Sequence, residues 1–479
     1  MTIFFLFLQK IEVMKCTSLI LVVLALVVVS CGKKQKENRN MKKIYKANIL
    51  YTKYKDHFEM LENGYVAVDS NGRVIGVAAD LASLGADASQ RRIILDGEDA
   101  EIIDFGDRLL IPAMNDLHVH ASQYRNQGLA MDLELMDWLQ RYTYPEELKY
   151  ADTAYAEKMY CHFVRDLWRH GTMRACVFAT SHTESTRVLM HIFQKAGMGA
   201  FVGKVAMNRD CPEGLAESEE EMVQGYESLI GGDVSQRRKS LDPLVRPIVT
   251  PRFIPSCTPE MLRSCGELAA KYQLPVQSHL SENKEEIRIV QKLEGTWYGD
   301  AYNRYGLFGQ TPTVMAHCVY TDGEELELIK QNGVMVAHCP TSNINVTTGS
   351  IAPIRKFLDN GLRVGLGSDI SGGHDLSISR MMVYAIQMSK MYHSQNPQRP
   401  FLSMSEAFWM ATKSAGSFFG HVGSFEPGYE FDALVIDDSD LNHDNYSLQE
   451  RLERFVYMGD DRQIAHRFCR GQEIMEPEL

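Results

Sequence analysis

The chain has 479 residues, of which 45% are apolar and 23% charged. That length and mix exclude a peptide-sized module, intrinsic disorder and collagen-like or low-complexity architectures, and leave room for a large core in two or three domains or one barrel with an appendage. The formal charge is −12; residues 1–40 carry six basic and two acidic side chains, a local +4 that leaves −16 on the rest and argues against a nucleic-acid surface, which needs a basic face.

Residues 1–40 read as a signal- or lipoprotein-like leader. Lys15 precedes the apolar run Leu19 to Val29, followed by Ser30, Cys31 and Gly32 and then Lys33, Lys34 and Lys36. Eleven apolar residues are too few to span a bilayer but suit the apolar region of a signal peptide. Val28 to Cys31 resembles a bacterial lipobox, which implies cleavage before Cys31, lipidation of its thiol and a start at Met14. Alternatively translation begins at Met41, where a first strand opens, and the chain is cytoplasmic. Any membrane contact is expected through the leader alone. Two of the ten cysteines, Cys16 and Cys31, lie in this leader; the other eight are scattered without a CxxC pair and read as reduced, mostly buried thiols.

From Met41 the pattern is that of strands: Ile44 to Tyr51, then Tyr65 to Val68 and Val74 to Val77 around Asn71-Gly72, a strong hairpin signal. Near Leu109 short apolar runs begin to alternate with amphipathic stretches, the signature of βα units and a parallel sheet. There are eight such runs: Leu109 to Met114, Met173 to Ala179, Ala200 to Val205, Arg246 to Thr250, Leu274 to Ser278, Thr313 to Ala316, Val334 to Ala337 and Leu362 to Leu366. Eight closes a (β/α)8 TIM-type barrel, although an open doubly wound sheet has the same alternation. Strand character returns at Ala433 to Ile436 and Ile464 to Cys469, after a helical Ser405 to Phe419. The predicted organisation is therefore an α/β chain with a barrel over 109–420 and a small β domain built from both chain ends, 41–108 and 421–479.

The first predicted barrel strand ends in Asp116-Leu117-His118-Val119-His120. Residues i and i+2 of a strand point to one side, so two imidazoles converge there. Three further runs end in residues of metal-ligand type, at His279, His317 and Asp369. One histidine after a strand is more often structural, and one Asp after Gly-Ser more often a helix cap. Four strand ends that carry such residues and share a barrel rim point instead to a metal site. Glu282, three residues past His279, reaches the same rim as a general base and acid. His338 is read as a structural hydrogen-bonding residue, and His182 and His374 as rim residues within reach of a substrate.

Asp116 to His120, His279 to Glu282, Ala316-His317, Ala337 to Asn343 and Gly367 to Asp369 together resemble the amidohydrolase superfamily. Ala121 to Tyr124, Leu133 to Glu146, Thr250 to Phe253 and Tyr457 to Arg462 are most similar to its guanine deaminase branch, from about Lys43 to the end. The resemblance implies one zinc ion held by His118, His120, His279 and Asp369, with His317 hydrogen-bonding the attacking water. It implies that Gln123, Arg252 and Phe253 hold a purine, that Glu282, His317 and Asp369 are catalytic, that guanine becomes xanthine and ammonia, and that the enzyme is a homodimer. Imidazole and carboxylate suit iron as well as zinc. Two departures stand out, Ala113 where the family usually has Gly after Pro112, and Cys318 where Gly often follows the histidine. Competing readings are a deaminase of another aminopurine, a pterin, cytosine or a triazine, and a lipid-anchored binding protein on an inactive barrel. The complete ligand set argues against the latter.

Overall fold

The computed structural model describes residues 41–90, 92–133, 135–231 and 244–479. The leader, with Cys31, lies outside the described residues. Among the described residues no helix is long and apolar enough to cross a membrane.

Both chain ends meet in one sheet. Its central path runs Gln472–Glu473, Ile464–Cys469, Ala433–Ile436, Glu98–Pro112, Lys42–Tyr51, Glu59–Val68 and Val74–Ala78, with two short strands between 86 and 95 off that path. Glu98–Pro112 joins the ends: it pairs parallel with Lys42–Tyr51, Ile44 opposite Ile102, and antiparallel with Ala433–Ile436, Leu110 opposite Val435. The inner face is aromatic. Tyr45 stacks on Phe431 at 4.6 Å and on Phe105 at 5.8 Å between ring centroids. The Asn71-Gly72 turn is observed: the Asp69 carboxylate accepts the Asn71 and Arg73 backbone N–H groups, and Gly72 takes the left-handed φ of 78° that the turn needs.

The remaining strands are parallel and alternate with helices. Met114–His120, Thr172–Phe178, Gly199–Gly203 and Val245–Pro247 form one four-stranded sheet; Val276–Leu280, Thr313–His317, Met335–His338 and Arg363–Leu366 form another. Backbone hydrogen bonds link the two at both edges: Val249 N–H to Pro275 O at 2.9 Å on one side, and Asp369 N–H to His118 O at 2.8 Å on the other. Burial on both faces explains why these strands read as apolar runs rather than as alternating patterns. Helices begin where side chains cap them. Asn283 accepts the N–H groups of Glu285 and Glu286, Thr258 that of Met261, and Ser218 forms a capping box with Glu221, so the acidic run 219–221 opens a helix.

Three expected boundaries differ. The run Leu109 to Met114 is not one barrel strand: Leu109 to Pro112 belongs to the end-built sheet, and the first parallel strand starts at Met114. Pro112 has no N–H and the Ala113 N–H turns to Asp432 O, so the chain changes sheet there without leaving the core. The runs 200–205 and 246–250 are also each divided, giving the short strands Val205–Ala206 and Thr250–Pro251, which pair with one another. Apolar character marks burial, and a buried chain can cross between sheets without a polar signal. All eight described cysteines are free thiols and six are buried, as expected.

Arg174, buried on the strand Thr172–Phe178, ties the parallel layer to the end-built sheet. Its guanidinium donates to Asp432 at 2.5 and 3.1 Å and to Glu430 at 2.7 Å. Removing one side of a buried pair leaves the other charge uncompensated, at a cost of about 3–5 kcal/mol. Arg174→Leu should therefore lower the urea midpoint of unfolding sharply, and Arg174→Lys less.

Candidate metal centre and active site

Four strand ends deliver the cluster. His118 and His120 sit two apart on Met114–His120, His279 lies near the end of Val276–Leu280, His317 ends Thr313–His317, and Asp369 follows Arg363–Leu366 after the turn Gly367-Ser368. Asp116 ties the first and last of these. Its buried carboxylate accepts the His118 N–H at 3.0 Å, the Ser368 N–H at 3.1 Å and the Ser368 hydroxyl at 2.5 Å. Gly367 permits the close approach, since a Cβ there would lie 2.9 Å from that of His118. His317 and Asp369 adopt left-handed φ values of 72° and 48°, uncommon for non-glycine residues and a form of strain found at functional sites.

The side chains converge. His118 Nε2 and His120 Nε2 are 3.2 Å apart, His120 Nε2 and His279 Nε2 3.3 Å, and Asp369 Oδ1 lies 3.1 Å and 3.3 Å from the first two. Tetrahedral coordination at zinc–nitrogen distances of 2.0–2.1 Å would separate its ligand atoms by about 3.3 Å. The protonation states also fit a cation. Burial pushes His118 down to about 4 and His279 well below the usual histidine range, which keeps both rings neutral. Burial acts to raise Asp369, but the surrounding His118, His120 and His317 outweigh it and hold the carboxyl well below its usual range. His279 Nδ1 lies 2.6 Å from the Arg252 carbonyl oxygen, to which it donates, leaving the Nε2 lone pair for the centre. His118 and His279 are thus neutral and Asp369 ionised, the states in which such groups bind a metal.

Glu282 sits beside this cluster on a turn with Ser281 at φ 47°. Burial and the Asp369 charge push its carboxyl up to about 8. Its position is set from the following helix, where Glu286 accepts the Glu282 N–H at 2.6 Å. The His317 ring places Nδ1 2.9 Å from Asn343 Oδ1 and Nε2 3.7 Å from Asp369 Oδ2.

A cavity of about 470 Å³ opens over the cluster. His120, His279, Glu282, His317 and Asp369 line it together with Gln123, Arg252 and Phe253, so the residues that the resemblance assigns to metal, substrate and proton transfer meet in one space apart from His118, which is buried. Trp138, Leu139, Glu286 and Ser342 also line it and were not anticipated. Nor were Glu147 and Asn343, which bond the lining residues from behind. Asn343 ends a stretch similar to the family, whereas Glu147 lies one residue beyond the stretch Leu133 to Glu146, and no short-range pattern brings it to Arg252, 105 residues away. His182 and His374 do not line the cavity; His374 contacts Asn345 and Tyr384 instead. His338 is buried with its Nδ1 lacking a hydrogen-bond partner, contrary to the role expected for it.

The amidohydrolase family model matches residues 109–474. The chain belongs to the amidohydrolase family. This amidohydrolase is 35% identical to the guanine deaminase of Dictyostelium discoideum over 448 residues, 90% of this chain and 98% of that one. It is 31% identical to the guanine deaminase of Escherichia coli (strain K12) over 385 residues, 78% and 84% of the two chains. Among solved structures, guanine deaminase from C. acetobutylicum with bound guanine superposes with a TM-score of 0.84 at 46% identity, covering 91% of this chain and all of that one (100%).

The two departures from the family pattern have different consequences in this amidohydrolase. Cys318 adopts φ 51°, a conformation that glycine takes without strain, whereas Ala113 is buried and shows no positive φ. A metal that binds only the folded chain stabilises it by about 2.7 kcal/mol at 100 times its dissociation constant. Chelation should therefore lower the melting temperature, re-addition of zinc should restore it, and His279→Ala should abolish the response; thermal unfolding with metal analysis checks this.

Proposed function

We infer that this amidohydrolase deaminates guanine hydrolytically, releasing xanthine and ammonia. The observation that carries the reading is a single cavity with the histidine–aspartate cluster and Glu282 at its floor and Gln123, Arg252 and Phe253 on its wall. The guanine-bound relative, 46% identical over 91% of this chain, supports guanine as the base. Two parallel sheets of four strands in chain order, hydrogen-bonded at both edges, support a (β/α)8 barrel beginning at Met114, with the end-built sheet as its companion domain.

The proposed metal ligands are His118, His120, His279 and Asp369, and the proposed ion is one zinc. Bound there, zinc supplies the Lewis acidity that makes hydroxide available from water near neutral pH. Arg252 offers a planar fork of donors to acceptors on the purine edge such as O6 and N7, Gln123 both donates and accepts, and Phe253 presents a ring face to the base. These contacts turn C2 toward Glu282 and Asp369. Glu282, with its raised affinity for a proton, takes one from water and delivers it to ring N3 as C2 is attacked. Asp369 shares the proton traffic, and the exocyclic amine leaves as ammonia. With Asn343 Oδ1 accepting from Nδ1–H, the His317 Nε2 lone pair accepts from the water and fixes its direction.

Glu282→Gln keeps the shape and loses the proton carrier, so ammonia release from guanine should fall by at least about 100-fold at unchanged metal content. Arg252→Ala should act mainly on KM and kcat/KM while metal content stays constant. Wild-type kinetics in Arg252→Ala would remove the reason for choosing guanine, and a panel of other aminated heterocycles would then identify the substrate.

A further inference from the structure

Glu147 does not line the cavity, yet it holds two residues that do. It ends the short helix Tyr144–Glu147 and is only 4% exposed. Its carboxylate is divided between them, Oε1 accepting from Gln123 Nε2 at 2.9 Å and Oε2 from Arg252 Nη1 at 2.7 Å. Gln123 and Arg252 are buried to the same degree, at 2% and 4% exposure.

We propose that Glu147 is a positioning residue for specificity, setting the orientation of both base-reading side chains through one carboxylate. The inference rests on the functional reading above. For Gln123 the effect is on amide direction. With Nε2 donating to Glu147, the carbonyl Oε1 accepts the Ser371 N–H at 3.2 Å. A flipped amide would set its oxygen against a carboxylate and its NH2 against the Ser371 N–H, two repulsive contacts in a buried site. The Ser371 hydroxyl lies 3.5 Å from the same Oε1, so Gln123 is left with one N–H in a defined direction for a ligand.

For Arg252 the effect is on both charge and direction. A guanidinium with no anion beside it is costly to bury, and Glu147 neutralises it. The Tyr144 ring, 5.3 Å from Arg252 Cζ, supports the plane. Glu147 engages only Nη1, and the other guanidinium donors have no side-chain or backbone acceptor among the described residues. A fork held at one corner and open at the others suits a neutral planar heterocycle with adjacent acceptors on one edge. The pair is neutral overall, so the pocket wall selects by geometry and hydrogen bonding rather than by net charge.

The experiment is a double-mutant cycle on the full, metal-loaded enzyme with guanine and with 2-aminopurine, a base that lacks the 6-oxo acceptor, followed as turnover or competitive inhibition. Glu147→Gln preserves volume and one acceptor and should raise KM for guanine about tenfold; Glu147→Ala should lower kcat/KM about 100-fold, with metal content unchanged in both. The preference for guanine over 2-aminopurine should narrow in each variant. Because Arg252→Ala strands the Glu147 charge, the double variant Glu147→Gln/Arg252→Ala should be no worse than Arg252→Ala alone. Losses that multiply instead, or a loss confined to kcat with the base preference intact, would overturn the proposal. If Glu147→Ala fails to fold, Glu147→Gln and the double variant carry the test. A wild-type enzyme that releases no ammonia from guanine overturns the functional reading and this inference with it, whereas an active wild type with multiplicative losses overturns this inference alone.

Discussion

Several imidazoles and a carboxylate whose nitrogen and oxygen atoms lie 3.1–3.3 Å apart inside a protein need an electrophile between them. Lone pairs at that spacing repel one another, and burial removes the water that would separate them. Protonation would relieve the crowding only by placing cations in the interior, which the lowered affinities of His118 and His279 for protons oppose. The arrangement makes sense as a cation's coordination shell. Most of the surrounding structure serves to hold these atoms together against their mutual repulsion.

That holding is done with backbone and with a few charged side chains. Parallel strands give each ligand a fixed exit direction, and the Asp116 carboxylate joins the first strand to the turn that carries Asp369. The left-handed backbone at His317, Cys318 and Asp369 is of a kind that persists only where the surrounding structure over-determines it. Further out, Arg174 anchors the parallel layer to a sheet whose strands come from both chain ends.

Carboxylates divide the chemistry of the cavity by their surroundings. Asp369 stands among histidines and stays ionised, while Glu282 is buried beside that negative charge and is held near the point where it can both take and give a proton. Glu147, paired with Arg252 and Gln123, lies behind the cavity wall and in the proposal above orients the two side chains there. Three acidic groups within one site therefore differ in function because their nearest neighbours differ.

The residues that belong to a single strand end or a single turn could be read directly from the chain. His118 and His120 follow from strand periodicity, and Glu282 from its closeness to His279, because these relations span only a few residues. The alternation of apolar runs and helices likewise gives the parallel α/β layout, since burial on two faces leaves a local signature. Where one buried run changes sheets, as at Pro112, that signature is silent, because the apolar pattern records burial and not the neighbouring strand. The partnerships of Glu147 with Arg252, Asp116 with Ser368 and Arg174 with Asp432 were equally hidden. Each joins residues more than 100 positions apart, and such pairs acquire their meaning only when the strands are laid side by side. The amino-acid sequence by itself determined which chemical groups this protein brings to its strand ends; the tertiary structure decided which of them share a charge, because only packing sets the distances through which charges act.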